Sequence, residues 1–361
     1  MEQQIIEKAH DLRVKLHSLA ERSNEEKRTK AYLIEFLRTN TSLRIDDFGA
    51  FFFAVHEESG VNGTLAFRAD MDALPVGDGA EHLCGHDGHC AVLAALGIVL
   101  ENRTLGRNIV LIFQHAEEIG EGALVCAQAL KKYHVDRVYA FHNIPAWSEC
   151  SVLLRNDTFA CASRGMSISF SGEPSHAAYP ENGKNSGYAA ARLISSLPEI
   201  TDKSRYCGLT MATLIGAEIG SKAFGSAASN SEIWLTLRAW NDDELESLIN
   251  TIKETAKKEA KTDRVEVTFS FCEVFPATVN DNETLAGLKR ICSDIGLDCI
   301  DVPEPFRWSE DFGHYSSVAK TAMFGIGAGV DWPQLHTENF IFNDNILHTA
   351  LKLFTALAEF G

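Results

Sequence analysis

The chain has 361 residues, 45% hydrophobic and 23% charged, with a formal net charge of -17. At this length about three quarters of the unfolded surface is buried on folding and about two domains are expected, which excludes disordered, coiled-coil and mini-protein readings. Lys and Arg number 33 against 50 Asp and Glu, with no basic cluster beyond Lys257, Lys258 and Lys261, so neither nucleic acid nor a membrane surface is expected as a partner.

Ile5, Ile6, Ala9, Leu12, Leu16 and Leu19 recur at helical spacing among charges, which describes an amphipathic helix and not a secretory signal. No run of about 18 apolar residues offers a membrane span. Nine cysteines, irregularly spaced and without a CxxC pair, read as reduced thiols in a cytoplasmic protein. Ser23 with Glu26 has the capping-box form for a helix running to Arg38. Residues 50–56 and 64–69 read as strands joined by the turn at Gly60 and Gly63. A helix over 89–100, a strand at 108–113, a helix over 121–132 and a strand at 136–141 then alternate, the pattern of parallel βαβ units with helices on both faces. The middle of the chain changes character. Strands at 166–171, 207–218, 231–239 and 264–272, with helices near 184–197 and 242–260, predict a small α+β layer inserted into the first domain. Alternation resumes with a helix over 282–295, a strand at 321–326 and a helix over 344–358.

Polar signals gather at strand ends. Asp70 and Asp72 follow the strand at 64–69, Glu117 and Glu118 the strand at 108–113, and His142 the strand at 136–141. Open parallel sheets build their sites beyond the carboxyl ends of strands, so one shared crevice is expected. Between the first two ends lies His82-Leu-Cys84-Gly-His86-Asp87-Gly-His89. A thiolate and an imidazole two residues apart, with Gly85 and Gly88 permitting tight backbone, turn onto one metal edge. The density of His and Cys in this loop outweighs the alternative of a buried thiol beside a core histidine. Imidazole, carboxylate and one thiolate suit Zn, Mn, Co or Ni. The adjacent Glu117 and Glu118 either open a solvated helix, where the dipole favours Glu, or divide two tasks, ligating a metal and taking a proton from activated water. His115 reads as a packing or supporting residue. His176 sits in the turn-rich Pro174–Pro180 loop. The Gly-rich stretch Gly325–Gly329 reads as a flexible loop delivering His336 to the site. Arg164 and Arg238 each suit a substrate carboxylate or a structural ion pair.

The runs Arg68-Ala-Asp-Met-Asp-Ala-Leu-Pro75, Cys84-Gly-His-Asp-Gly-His89, Gln114-His-Ala-Glu-Glu118, Phe141-His-Asn143, Ser175-His-Ala-Ala178, Ser309-Glu-Asp-Phe312 and Leu335-His336 resemble, in order, the motifs of one known group. It is the amidohydrolase branch of the dinuclear aminoacylase and carboxypeptidase proteins, peptidase family M20, which includes hippurate hydrolase and N-acyl-amino-acid amidohydrolases. The resemblance implies an α/β catalytic domain, residues 1–162 and 275–361, with a mainly parallel central sheet flanked by helices. It also implies an inserted α+β lid, residues 163–274, with a four-stranded antiparallel sheet and two helices, through which a homodimer forms. By resemblance Cys84 bridges two divalent ions, His86 and His142 complete one site, and Glu118 and His336 complete the other. Glu117 is then the general base, Asp72 supports a ligand from behind, and His176 stabilises the oxyanion from the lid. The chain departs from the family at Gln114-His-Ala, where Gln-Pro-Ala is usual. It departs again at Lys184-Asn-Ser-Gly187, where an Asp is common, and at Gly225–Ser231, where an Asn-Val-Ile-Pro run is usual.

The activity expected is therefore metal-dependent hydrolysis of the amide bond of an N-acyl amino acid or similar small conjugate. A dipeptidase or carboxypeptidase using the same centre is the alternative. A catalytically silent binding protein of the same fold is disfavoured because all five ligand candidates and the base are present.

Overall fold

The computed structural model describes residues 2–361. Eight strands form one sheet in the order Arg44–Asp47, Phe52–His56, Asn108–Gln114, Thr64–Asp70, Arg137–Ile144, Lys320–Gly327, Val152–Leu154, Cys299–Asp301. The four central strands, from Asn108–Gln114 to Lys320–Gly327, run parallel, and antiparallel pairs border them on both sides. Parallel strands covered on both faces read as unbroken apolar runs, and Ile109–Phe113 is wholly buried. The helices Glu2–His17, Lys27–Asn40, His86–Leu100 and Leu347–Phe360 share one core with this sheet, in which Leu12, Leu33, Leu93 and Phe354 join Phe67 and Phe113.

The chain divides into two compact units. One comprises the chain up to Phe159, Thr278–Pro305 and Glu310–Gly361; the other comprises Ala160–Ala277 and Phe306–Ser309. The second unit is the expected α+β layer, an antiparallel sheet ordered Thr210–Ile219, Asn230–Ala239, Ala162–Ser171, Glu266–Phe275. Its helices Ser186–Ile200 and Asp242–Asp263 bury Leu193, Leu197, Leu248 and Ile252 against Ile168, Phe170, Ile233 and Leu235. Asn185 and Asn241 cap the two helices through their side-chain oxygens. Among the described residues no helix is long and apolar enough to cross a membrane.

Three local expectations are corrected. The two strands expected across the Gly60 and Gly63 turn form as Phe52–His56 and Thr64–Asp70, but they do not pair as a hairpin, because Asn108–Gln114 lies between them and Phe52–His56 pairs on its other side with Arg44–Asp47, a strand absent from the sequence reading. The capping box does not form. Ser23 Oγ donates to Asp72 and Glu26 accepts from the Ala116 amide, while Glu21 takes the free amides of Arg28 and Thr29 at the helix start. The Gly325–Gly329 stretch is not a flexible loop. Gly325 and Gly327 lie in a strand paired on both sides, parallel to Arg137–Ile144 and antiparallel to Val152–Leu154.

The connection after Asn108–Gln114 is tightly folded. Ala116 is left-handed, with φ of 50°, and its carbonyl accepts from both Glu121 and Gly122. That fold presses Gly122 against the preceding turn, so a Cβ there would meet the His115 carbonyl oxygen at 1.6 Å. Gly122→Ala is expected to cost about 1–3 kcal/mol by overpacking. Gly287→Ala, in the helix Asn282–Asp294 with nothing within 4 Å of the new methyl, is expected to gain about 0.5–1 kcal/mol. Chemical denaturation of the two variants measures both signs.

Candidate metal centre

Asp70 and Gln114 are the last residues of their strands, and His142 lies two residues before the end of Arg137–Ile144 rather than after it. All three therefore reach the carboxyl-end rim of the parallel strands, where His86–Leu100 begins. Gly85 starts that helix with φ of 97°, and a Cβ on it would meet Asn143 Oδ1 at 2.4 Å. Only glycine allows the loop to lie this close to the strand carrying His142.

The rim gathers the candidate ligands around one sulfur. His142 Nε2 and His336 Nε2 each lie 3.4 Å from Cys84 Sγ. Cys84, His86 and His142 form one group whose ligating atoms lie within 4.8 Å of one another, and Cys84, Glu118 and His336 form a second. The two groups share the thiol. His336 reaches its place through a left-handed residue, φ 62°, whose amide donates to the Leu83 carbonyl at 2.8 Å.

Hydrogen bonding sets the tautomers. His86 Nδ1 faces the Asp72 carbonyl at 3.0 Å, and His142 Nδ1 faces the Asn143 carbonyl at 2.9 Å. A carbonyl only accepts, so each Nδ1 carries the proton and each Nε2 presents a lone pair to the centre. His86 Nε2 and Glu118 Oε1 are buried without a hydrogen-bond partner. Buried polar atoms left in that state are costly unless something binds them. Ligand atoms sharing a tetrahedral ion with bonds of about 2.3 Å to sulfur and about 2.0–2.1 Å to nitrogen lie about 3.5 Å apart, close to the separations seen around Cys84. The residues fit a pair of divalent ions.

The surrounding electrostatics point the same way. Asp70, Asp72, Glu117, Glu310 and Asp311 are all buried, and Arg68 is the guanidinium among them. Burial pushes Cys84 up to about 12, with Glu118 adding to the rise. Burial raises Glu118 to about 7 against the pull of His86. It raises Glu117 well above the ordinary carboxylate range, with Glu310 and Glu118 contributing. Anionic groups kept this close out of water call for added positive charge or for protons. Glu117 belongs to the groups His86–Glu117–Glu118 and Glu117–Glu310–Asp311, and Glu118 to the group on the thiol. Asp72 touches both halves of the centre: its Oδ2 accepts from the Glu118 amide at 3.0 Å and from Ser23 Oγ at 2.7 Å, and its Oδ1 lies 3.4 Å from His86 Nδ1.

The sequence reading overlooked the layer beneath. Arg68 Nη2 binds Asp70, Glu310 at 2.8 Å and Asp311 at 2.7 Å, while Nε donates to Gln114 at 3.0 Å. Gln114 Nε2 donates to Asp311 at 2.8 Å, and the Ala123 amide does so at the same distance. The signal was present: an arginine inside the wholly buried strand Thr64–Asp70 needs anionic partners. Asn143, whose Oδ1 lies 2.7 Å from His89 Nε2, was also overlooked. His115 stacks on Phe51 with ring centroids 5.5 Å apart.

His176, Arg164 and Arg238 belong to the other unit. His176 is exposed, and its Nδ1 accepts from the Ala178 amide at 3.1 Å, which leaves the proton of a neutral ring on Nε2. The Gly225–Ser231 segment runs beside it, with Ala177 N donating to Gly225 O and Ala227 N to Ser175 O. Arg164 pairs with Glu246 at 2.7 Å, and Arg238 donates to the Arg307 carbonyl and to Ser309 Oγ.

A model of the peptidase family M20/M25/M40 matches residues 66–359. An uncharacterized hydrolase of Staphylococcus saprophyticus is 29% identical over 306 residues, 79% of each chain. The YXEP protein of Bacillus subtilis, a dinuclear metal binding peptidase from the M20 family, superposes with a TM-score of 0.84 at 21% identity, covering 99% of this chain and 98% of its own. An aminobenzoyl-glutamate utilization protein from Klebsiella pneumoniae superposes with a TM-score of 0.77 at 21% identity, covering 99% and 97%.

Arg68→Met removes the cation that three buried carboxylates share and is expected to destabilise the fold by about 3–5 kcal/mol. Arg103→Met, which breaks a partly exposed pair with Glu359, is expected to change stability by less than about 1 kcal/mol. Urea unfolding of both variants checks the contrast.

Proposed function

The chain belongs to the peptidase family M20/M25/M40 and is a metal-dependent hydrolase, and on that premise we propose that it cleaves the amide bond of N-acyl amino acids or similar small conjugates. The observation that carries the reading is the pair of ligand groups sharing Cys84, with Glu117 beside them and outside both. Cys84, His86 and His142 would hold one divalent ion, and Cys84, Glu118 and His336 the other. Such ions, when bound, supply Lewis acidity for the scissile carbonyl and for water.

The chain's own groups do the rest. Glu117 accepts a proton from water at a carboxylate oxygen as the water oxygen adds to the carbonyl carbon, then returns that proton to the departing amine nitrogen. Its burial beside Glu310 and Glu118 raises its basicity, which suits it to hold a proton between the two transfers. Asp72 orients the His86 ring and the Glu118 backbone together. His176, with its Nε2 proton free to donate, is assigned the developing oxyanion. Aminobenzoyl-glutamate, for which the Klebsiella pneumoniae neighbour is named, is itself an N-acyl amino acid, and it supports that choice of substrate class.

Glu117→Gln is expected to keep both ions by elemental analysis and to lower kcat by about 10²- to 10⁴-fold on the best N-acyl amino acid. Wild-type turnover in that variant removes the base assignment. Cys84→Ser is expected to lose at least one of the two ions. Dialysis against a chelator is expected to abolish hydrolysis, with activity returning on addition of Zn, Mn, Co or Ni. Faster release of amino acid from dipeptides than from N-acetyl amino acids in the reloaded protein would assign a dipeptidase instead.

A further inference from the structure

The segment between the first two helices, residues 18–26, is stitched to the centre at several points. The Glu21 carbonyl accepts from the Ala73 amide at 2.8 Å, and Arg22 forms a parallel bridge with Ala73. Ser23 Oγ donates to the same Asp72 oxygen that holds the Glu118 amide. Glu26 then enters the interior, 4% exposed, and its Oε1 accepts from the Ala116 amide at 2.8 Å.

The Ala116 contact has a particular geometry. Ala116 adopts φ of 50°, a conformation uncommon and costly for a residue that carries a Cβ. Its carbonyl is held by the Glu121 and Gly122 amides, so Glu26 supplies the restraint on the opposite side of the residue. Glu117 and Glu118 follow directly in the chain. A rotation about the Ala116 backbone would swing both carboxylates away from His86 and Cys84. Burying an acidic side chain to hold one amide is an expensive way to stabilise a turn, and the return is the aim of the two residues that come next.

We infer that Glu26 is a positioning residue that fixes the left-handed turn at Ala116 and thereby aims Glu117 and Glu118. The inference rests on the reading of Glu118 as a ligand and Glu117 as the base. It depends on the reach of the side-chain oxygen and not on its charge. Gln is as long as Glu and keeps an acceptor oxygen, whereas Asp keeps the charge and is one methylene too short.

The test compares Glu26→Gln, Glu26→Asp and Glu26→Ala in the full chain by three readouts. They are amide hydrogen exchange at Ala116, titration of the metal-free protein with cobalt(II), and steady-state kinetics on the best N-acyl amino acid. Glu26→Gln is expected to stay within about threefold of the wild type in all three. Glu26→Asp and Glu26→Ala are expected to exchange the Ala116 amide at least about tenfold faster. They should bind cobalt about 10- to 100-fold more weakly and lose kcat at nearly constant KM. Should Glu26→Ala fail to fold, the Gln and Asp pair carries the comparison. Unchanged exchange and cobalt affinity in Glu26→Asp, or a Gln variant as impaired as the Asp variant, overturns the inference. If the wild type hydrolyses no N-acyl amino acid, the proposed activity falls, and the exchange and cobalt measurements still decide the role of Glu26.

Discussion

One buried guanidinium ties together the segments from which the centre is built. Arg68 sits in the middle of the sheet and binds Asp70 on its own strand, Gln114 on the neighbouring strand, and Glu310 and Asp311 at the point where the chain re-enters the larger unit. A cation withdrawn from water is tolerated only when it is compensated, and here Gln114 and Asp311 accept its hydrogen bonds while Asp70 and Glu310 stand in ion-pair contact, groups from three separate stretches of sequence. The relative heights of those stretches are thereby set before any ligand is considered. Asp70 in turn lies within 4.0 Å of His86 and 3.6 Å of His89, so the guanidinium anchors the floor on which the imidazoles stand.

Above that floor the candidate ligands come from residues 84 to 336. Carbonyl groups fix the tautomers of His86 and His142. Left-handed residues deliver the other candidate ligands, Ala116 ahead of Glu118 and His336 itself. Each such residue costs on the order of 1 kcal/mol or more. The strain is placed where chain direction must reverse sharply to bring a side chain over the strand ends, and hydrogen bonds to Leu83, Glu121 and Gly122 hold it there.

Much of this was legible in the sequence, and what was not has a common cause. The strands Asn108–Gln114 and Arg137–Ile144 and the α+β layer announce themselves by local periodicity. The carboxylate pair 117–118 and the Cys-Gly-His run stand out by residue type and by their places at a strand end and in a strand-to-helix loop. Pairing order was not legible: nothing in residues 50–69 reveals that Asn108–Gln114 inserts between two consecutive strands, because that choice is made by the crossover and not by the strands themselves. Ser23 and Glu26 failed for a related reason. Their spacing satisfies a local rule, yet Asp72 and the Ala116 amide, far along the chain, compete for the same side chains and win because they are buried. Gly325 and Gly327 read as loop by composition and are strand, since pairing on both sides leaves them no freedom to use.

The net charge of -17 takes on a different meaning once the interior is known. Asp70, Asp72, Glu117, Glu118, Glu310 and Asp311 stand with the Cys84 thiol around a centre whose guanidinium is Arg68 alone. Burial raises Glu117 and Glu118 above the ordinary carboxylate range and the Cys84 thiol to about 12, whereas the His86 side chain holds Asp72 down, so the protons gather on part of this set. Protons and divalent ions therefore compete for the same lone pairs. A divalent ion held by the candidate group on Cys84 would have to expel the thiol proton, so occupancy and acidity are two sides of one equilibrium.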